Sequence, residues 1–417
     1  MLVGMDIDHS PVQRPPTTPA SRWKTLLLLG SLVAVGPLTT DMYLPALPSI
    51  AEDLHSGAAA AQLTLTAMLA GLALGQLVFG PLSDAIGRRV PLLVGVAVHI
   101  LASVLCAFAP SFAVLDVLRV LQGLGAATST VVTMAIVRDL YEGTAAATIL
   151  SRLMLVLGTA PVLAPTIGGA VLTWSNWRGI FGLLAVVSAA VLVVTARALP
   201  ETLPVERRRS GGLARSMRDY GTLLRDRVFI GLILLAGLGM STIFAFVAGS
   251  PFVFQEHFGL KEQQFGAVFG LGSVRVVLAT QLNVRLLRRR SPRVVLIAAI
   301  CLAAAGGVLL LVLSVSGVGG FPGVLRPLWL VLFAIGFVLP NAPALALSRH
   351  GHMAGTAAAL LGAVQFGIAA VTAPVVGFLG TGPAAMASVI TGGPVIGLLV
   401  LGTLVRPRRP DSGLTTH

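Results

Sequence analysis

Two charged residues stand where an apolar chain should carry none. Asp41 closes the apolar stretch that starts near Lys24, and Arg119 sits inside the one from Ala113 to Val137. A carboxyl group in low-dielectric surroundings can alternate between neutral and charged as nearby charges come and go, which is the chemistry of loading and releasing a proton. An Arg at such depth costs at least ~2.5 to 3.5 kcal/mol unless it is paired or wetted, so it needs a function or a partner. Arg119, Gly123, Ala126 and Thr130 share one helical face, a stripe of small residues that turns the guanidinium toward protein rather than lipid. The alternative is a side chain that snorkels to the interface with help from Asp116, one turn away.

Other groups have spacings suited to movement rather than to bond chemistry. In the run from Gly75 to Arg89, Gly80 permits close helix approach, Gly87 supplies a turn with positive φ, and Asp84 can sit against the positive end of a neighbouring helix. Gly158, Pro161, Pro165, Gly168 and Gly169 combine missing amide hydrogens with missing side chains, which leaves a bendable, closely packable helix. Gly266, Gly270 and Ser273 offer it a matching small face. Arg275 lies in mid-segment without an acid in its own half, since Glu256 and Glu262 are expected in a loop. It requires a carbonyl, water, a distant carboxylate or an anionic ligand, and a cavity role and a structural role are both open. No His/Cys/Asp cluster, phosphate loop or nucleophile–base pair is present, so a membrane enzyme is disfavoured and no cofactor or metal is expected.

The elements that must position these residues are membrane helices. The 417 residues are 55% hydrophobic and only 11% charged, more apolar than one soluble domain would expose to water. Twelve spans fit at roughly 24–44, 61–82, 91–109, 113–137, 147–171, 178–199, 228–250, 264–285, 293–315, 327–347, 353–379 and 385–405. The net charge of +13 argues for topology rather than nucleic acid, because the basic residues sit at segment ends instead of on one patch. Arg88, Arg89, Arg138, Arg207 to Arg209, Arg288 to Arg290 and Arg406 to Arg409 all fall on one side, against Arg178, Lys261 and Arg326 on the other. That bias places both termini in the cytoplasm and requires an even number of spans.

The expected organisation is a disordered cytoplasmic tail over 1–22, a six-helix bundle over 23–200, a cytoplasmic linker over 201–227, a second bundle over 228–405 and a tail over 406–417. The tail lacks the basic start, short apolar core and cleavage site of a signal peptide. Pro374 and Gly377 echo the Gly/Pro set of the fifth span in the eleventh, as a parallel duplication would leave. Cys106 and Cys301 lie far apart inside apolar runs and predict neither a disulfide nor a metal site.

Several of these strings resemble known motifs. Gly80, Asp84, Gly87, Arg88 and Arg89 resemble the signature loop of the major facilitator superfamily, to whose conformational set Asp139 is also assigned; Ala85 departs from it where a basic residue is common. Leu115 to Gly125 is similar to the motif of proton-coupled drug exporters in which an Arg, here Arg119, is tied to proton transfer. Gly158 to Gly169 is similar to the antiporter motif of the same superfamily. Thr39-Thr40-Asp41-Met42-Tyr43-Leu44-Pro45-Ala46-Leu47-Pro48 resembles the hallmark of its Bcr/CflA drug-resistance branch, and segments at Gly249 to Phe254, Pro340 to Ala342 and His352 to Ala357 also look like that branch.

The resemblance implies an all-α transmembrane fold, two six-helix bundles around a central cavity that opens to either side by rocking. It implies proton-coupled efflux from a bacterial cytoplasmic membrane, with Asp41 as proton carrier, Arg119 as modulator, and Gln122 and Asn341 toward a substrate cavity; Arg275 belongs to none of these motifs, and a place in that cavity is one of its two open roles. The implied partners are protons, the lipid bilayer and a small drug-like molecule, with a weak lean toward neutral or anionic amphiphiles; no nucleic acid is expected, and the chain is expected to act as a monomer. A narrow-specificity metabolite or amino-acid exporter of the same fold fits the motifs equally.

Overall fold

The computed structural model describes residues 19–208, 212–350 and 353–405. The expected tails at 1–18 and 406–417, with Arg406 to Arg409, lie outside these residues, as do Arg209 and His352; residues 19–22 open the first helix. Fourteen α-helices run in chain order: α1 Pro19–Asp41, α2 Leu47–Asp53, α3 Ala58–Ile86, α4 Arg89–Ala107, α5 Phe112–Leu140, α6 Gly143–Val171, α7 Trp177–Ala198, α8 Gly212–Leu223, α9 Arg227–Pro251, α10 Glu262–Leu286, α11 Pro292–Ser316, α12 Gly320–Ser348, α13 Ala354–Leu379 and α14 Pro383–Thr403. There are no strands among the described residues. Twelve helical stretches are long and apolar enough to cross a membrane, α1 with α2 forming the first and α9 with the π-helical turn Phe252–His257 the seventh.

The first span is discontinuous for a local reason. Pro45 and Pro48 lack amide hydrogens and disfavour helical geometry in the residues before them, so α1 stops at Asp41 and a short 3₁₀ turn, Leu44–Ala46, precedes α2. The π-helical turn brings Glu256 into a helical element, and Glu262 is the first residue of α10, so the expected loop positions of both acids are corrected. The linker also holds more structure than expected. In α8, Tyr220 and Leu223 are buried, and the Tyr220 hydroxyl donates to the Leu77 carbonyl of α3 at 3.3 Å.

The packing order repeats between the halves. In the first, α3 lies on α5, α4 on α5 and α7, and the first span on α5, α6 and α7; in the second, α10 lies on α12, α11 on α12 and α14, and α9 on α12, α13 and α14. Each pair in the second list is the first list displaced by six spans. The two most extensive contacts between the halves are α3 with α13 and α6 with α10, and the same displacement exchanges them. The duplication is therefore visible in tertiary contacts, where the sequence retains only Pro374 and Gly377 as an echo.

Candidate functional site

Arg119 is fully buried in α5 at a point where α5 and α3 touch backbone to backbone. A Cβ on Gly71 would collide with the Val120 carbonyl, and one on Gly123 with that of Met68, so only glycine at both places lets the helices meet. The close approach brings the Thr64 carbonyl of α3 to 3.4 Å from Arg119 Nε. Nη1 donates to the Thr39 carbonyl at 3.2 Å and to Gln122 Oε1 at 2.7 Å, and the guanidinium carbon lies 4.1 Å from the centre of the Tyr43 ring. Nη2 is buried without a hydrogen-bond partner. The snorkelling alternative is excluded by this burial, and Asp116 forms no ion pair with Arg119; its Oδ1 is buried without a hydrogen-bond partner.

A chain of buried polar groups continues from Arg119. Gln122 Nε2 donates to Ser103 Oγ at 2.8 Å, and Ser103 donates to the His99 carbonyl at 2.7 Å. The Thr39 hydroxyl gives its proton to the Val35 carbonyl at 2.6 Å, so His99 Nε2, 2.8 Å away, is the donor to Thr39 and His99 Nδ1 is left as an acceptor with no partner. Sequence reasoning missed His99 and Ser103. A lone imidazole inside the otherwise apolar segment from Pro91 to Ala107 was the signal that could have found them.

Asp41 lies two residues from Thr39 and two from Tyr43, both of which turn toward Arg119. It is 5% exposed and is the one carboxylate classed as buried among the described residues, and no ion pair joins it to Arg119 or to any other cation there. The expected pair is thus not an ion pair: Arg119 holds the Thr39 carbonyl and the Tyr43 ring, which flank Asp41 in the chain.

A second charged cluster sits where α3, α4, α5 and α7 end together. Gly87 has φ +104°, the conformation its type was expected to supply, and turns the chain so that Arg88 points back into the bundle. Arg88 Nη1 meets Asp84 at 2.5 Å and Ser83 Oγ at 2.8 Å, and its Nε meets Asp139 at 2.8 Å. Burial opposes the charge on Arg88, but Asp139 and Asp84 outweigh it and hold the guanidinium protonated. Glu201, absent from the expected set, closes the cluster: it accepts from the backbone N–H groups of Arg88, Arg89, Thr202 and Leu203. Burial works to raise its pKa, and these four donors reverse that and leave it below the usual carboxylate range. Asp84 also lines a cavity of 260 Å³ shared with Gln76, Arg138, Asp219 and Thr356, the last in the first turn of α13.

The other motif residues pack α6 on the first span and on α10 of the second half. Gly168 packs so tightly on the Met42 carbonyl, next to Asp41, that a Cβ would collide with it, while Gly169 faces Glu262 at the start of α10. Pro161 and Pro165 lie inside an unbroken α6, and Gly158 approaches Val277 of α10. At this end Gln62 Nε2 donates to the Ala248 carbonyl at 3.1 Å and Gln255 Nε2 to that of Pro45 at 3.2 Å, closing the halves on each other. The 260 Å³ cavity lies at the opposite end.

Three expected cavity residues take other places. Gln122 is fully buried, accepting from Arg119 and donating to Ser103, and Asn341 is buried with both Nδ2 hydrogens spent on Asn283 Oδ1 at 2.7 Å and the Phe337 carbonyl at 2.8 Å, so neither opens onto a cavity in this state. Arg275 shares its face of α10 with exposed Leu271, Leu278 and Leu282, pointing out of the bundle; its guanidinium lies 3.4 Å from the Trp329 ring centre and donates to the Leu271 carbonyl at 2.7 Å. The expectation that it lines a substrate cavity is corrected accordingly.

The family model described as the Major Facilitator Superfamily matches residues 29–374. The chain belongs to that superfamily. Among curated relatives of this major facilitator, an uncharacterized MFS-type transporter of Bacillus subtilis, YdgK, is 36% identical over 94% of this chain and 98% of its own. A bicyclomycin resistance protein homolog of Haemophilus influenzae is 31% identical over 83% and 87%, and a chloramphenicol resistance protein of Pseudomonas aeruginosa is 33% identical over 82% of each. They support assignment to the Bcr/CflA type of the superfamily. A solved D-xylose–proton symporter superposes with a TM-score of 0.70 at 14% identity, over 90% of this chain and 97% of that one, which shows the shared fold. The protein is a multi-pass membrane transporter.

Proposed function

We propose that this transporter exports small drug-like molecules across the bacterial cytoplasmic membrane in exchange for protons, with Asp41 as the proton-carrying group. The observation that carries the reading is the placement of Asp41: a buried carboxyl group, free of any ion pair, at the break of the first span and beside the Gly168 contact. The 3₁₀ turn that follows Asp41 packs on α9 and α10 of the second half, so its surroundings change whenever the halves rock, and it can take a proton with one face open and release it with the other. Arg119 acts on it through the Thr39–Tyr43 backbone rather than by contact. The membrane potential supplies roughly 2.3 kcal/mol per charge per 100 mV for each net charge moved, besides the pH gradient. The bicyclomycin and chloramphenicol resistance relatives support a drug as cargo, and the basic segment ends support cytoplasmic termini.

The test is transport in proteoliposomes holding an imposed pH gradient, read with a chemically mixed panel of drugs that includes chloramphenicol. Gradient-driven accumulation of several unrelated compounds is the expected result. Accumulation indifferent to the gradient overturns proton coupling, and accumulation confined to one metabolite or amino acid overturns the drug assignment.

A further inference from the structure

The outward face of α11 and α12 carries a feature that transport by rocking does not use. Three glycines with positive φ, Gly317, Gly319 and Gly320, flank Val318 where the helices join, and Pro322 and Gly323 follow in the first turn of α12. The missing side chains leave a groove of 570 Å³, walled by Leu309 and Leu313 of α11 and by Leu330 of α12. Val312, Val315 and Leu309 are well exposed beside it, so the groove opens to the side of the bundle, where a membrane protein meets acyl chains.

One charge stands in this apolar setting. Arg326 lines the groove and is exposed, and it makes no hydrogen bond or ion pair among the described residues. It lies six residues into α12, about 9 Å along the axis at 1.5 Å per residue. Helix side chains lean toward the N-terminus, so its guanidinium reaches back about one turn, to the level of lipid headgroups. Trp329, one turn deeper, carries Arg275 on its ring, and no carboxylate pairs with either Arg among the described residues. The patch is thus a double positive charge on a membrane-facing surface with an apolar slot running from it. An acyl chain fits the slot, a phosphodiester fits the fork of Arg326, and a zwitterionic headgroup satisfies the charge less well because it brings its own cation.

We propose that the α11–α12 groove is a binding site for one anionic phospholipid, its phosphate on Arg326 and an acyl chain between Leu309, Leu313 and Leu330. Trp329 is a built-in reporter. In the full chain with Trp23, Trp174 and Trp177 replaced by Phe, held in phosphatidylcholine nanodiscs, a low mole fraction of brominated phosphatidylglycerol is compared with an equal fraction of brominated phosphatidylcholine. The expected result is preferential quenching by phosphatidylglycerol, corresponding to about fivefold local enrichment per basic residue engaged. Arg326→Gln reduces the two lipids to parity, Arg326→Lys restores part of the preference, and Arg178→Gln, which removes the Arg paired with Asp53 elsewhere at this end, leaves it intact. Equal quenching in the parent protein, a preference that survives Arg326→Gln, or one lost equally with Arg178→Gln overturns the proposal. Arg326 is exposed, so its replacement leaves the packed core untouched.

Discussion

The two halves share a packing order and differ in what they pack. Around Arg119 the first half builds a polar interior of Thr39, Thr64, His99, Ser103 and Gln122. The second half instead stacks Phe246 on Phe269 at 4.9 Å and clusters Phe254, Phe258 and Phe321, with the Asn283–Asn341 bond as a buried side-chain amide pair. Helix contacts depend on small residues and shape, which a duplication preserves; charge depends on single side chains, which it need not. The first half is therefore where proton chemistry resides on the proposed reading, and the second is an aromatic body that moves against it.

Asp41→Asn gives the largest expected effect. The amide keeps the size but cannot carry a proton, so gradient-driven export falls by about 10²-fold or more while the protein still accumulates in the membrane. Normal uphill transport by this variant would move the proton site elsewhere and dissolve the contrast between halves. In the second half, Asn283→Leu or Asn341→Leu alone strands a buried amide and costs about 1 to 3 kcal/mol, read as lowered thermal stability in detergent. The double variant recovers part of that loss and retains proton-coupled transport; a double variant as inactive as Asp41→Asn would show that the second half carries chemistry too.

Glu201→Gln is a smaller step within the first half. It weakens four charge-assisted backbone bonds at a partly exposed site, for about 1 kcal/mol. Because Glu201 is held below its ordinary value, its contribution is full above the unfolded carboxyl pKa of about 4.3 and is lost as pH falls through the lowered folded value. The melting difference between Glu201→Gln and the parent should stay constant from pH 5 to pH 8 and shrink only below about pH 4. The smallest effect belongs to Arg275→Ala, whose side chain points out of the bundle. The ratio of anionic to neutral compounds exported should change by less than about twofold, since removing a charge outside the cavity leaves the cavity potential nearly intact. A strong shift in that ratio would return Arg275 to the transport path.

Much of the architecture was legible because its causes are local. A run of about twenty apolar residues has one stable use, so the twelve spans follow from composition, and Gly87 requires nothing beyond its own missing Cβ. Arg119 announces itself by cost alone, whatever surrounds it. The prolines at 45 and 48 likewise stop α1 next to Asp41 without reference to any neighbour.

Tertiary structure decided which faces meet. In water, apolarity marks the buried side of a helix, but a membrane helix is apolar on the lipid side as well, so α10 gives no sign that Arg275 faces outward and Val276 inward. For the same reason Asp41 and Arg119, an obvious pair by charge, form no ion pair, and Arg119 instead holds the Thr39 carbonyl and the Tyr43 ring. Glu201 was hidden because its partners are backbone N–H groups, which every residue possesses and only the turn at Gly87 gathers into one place.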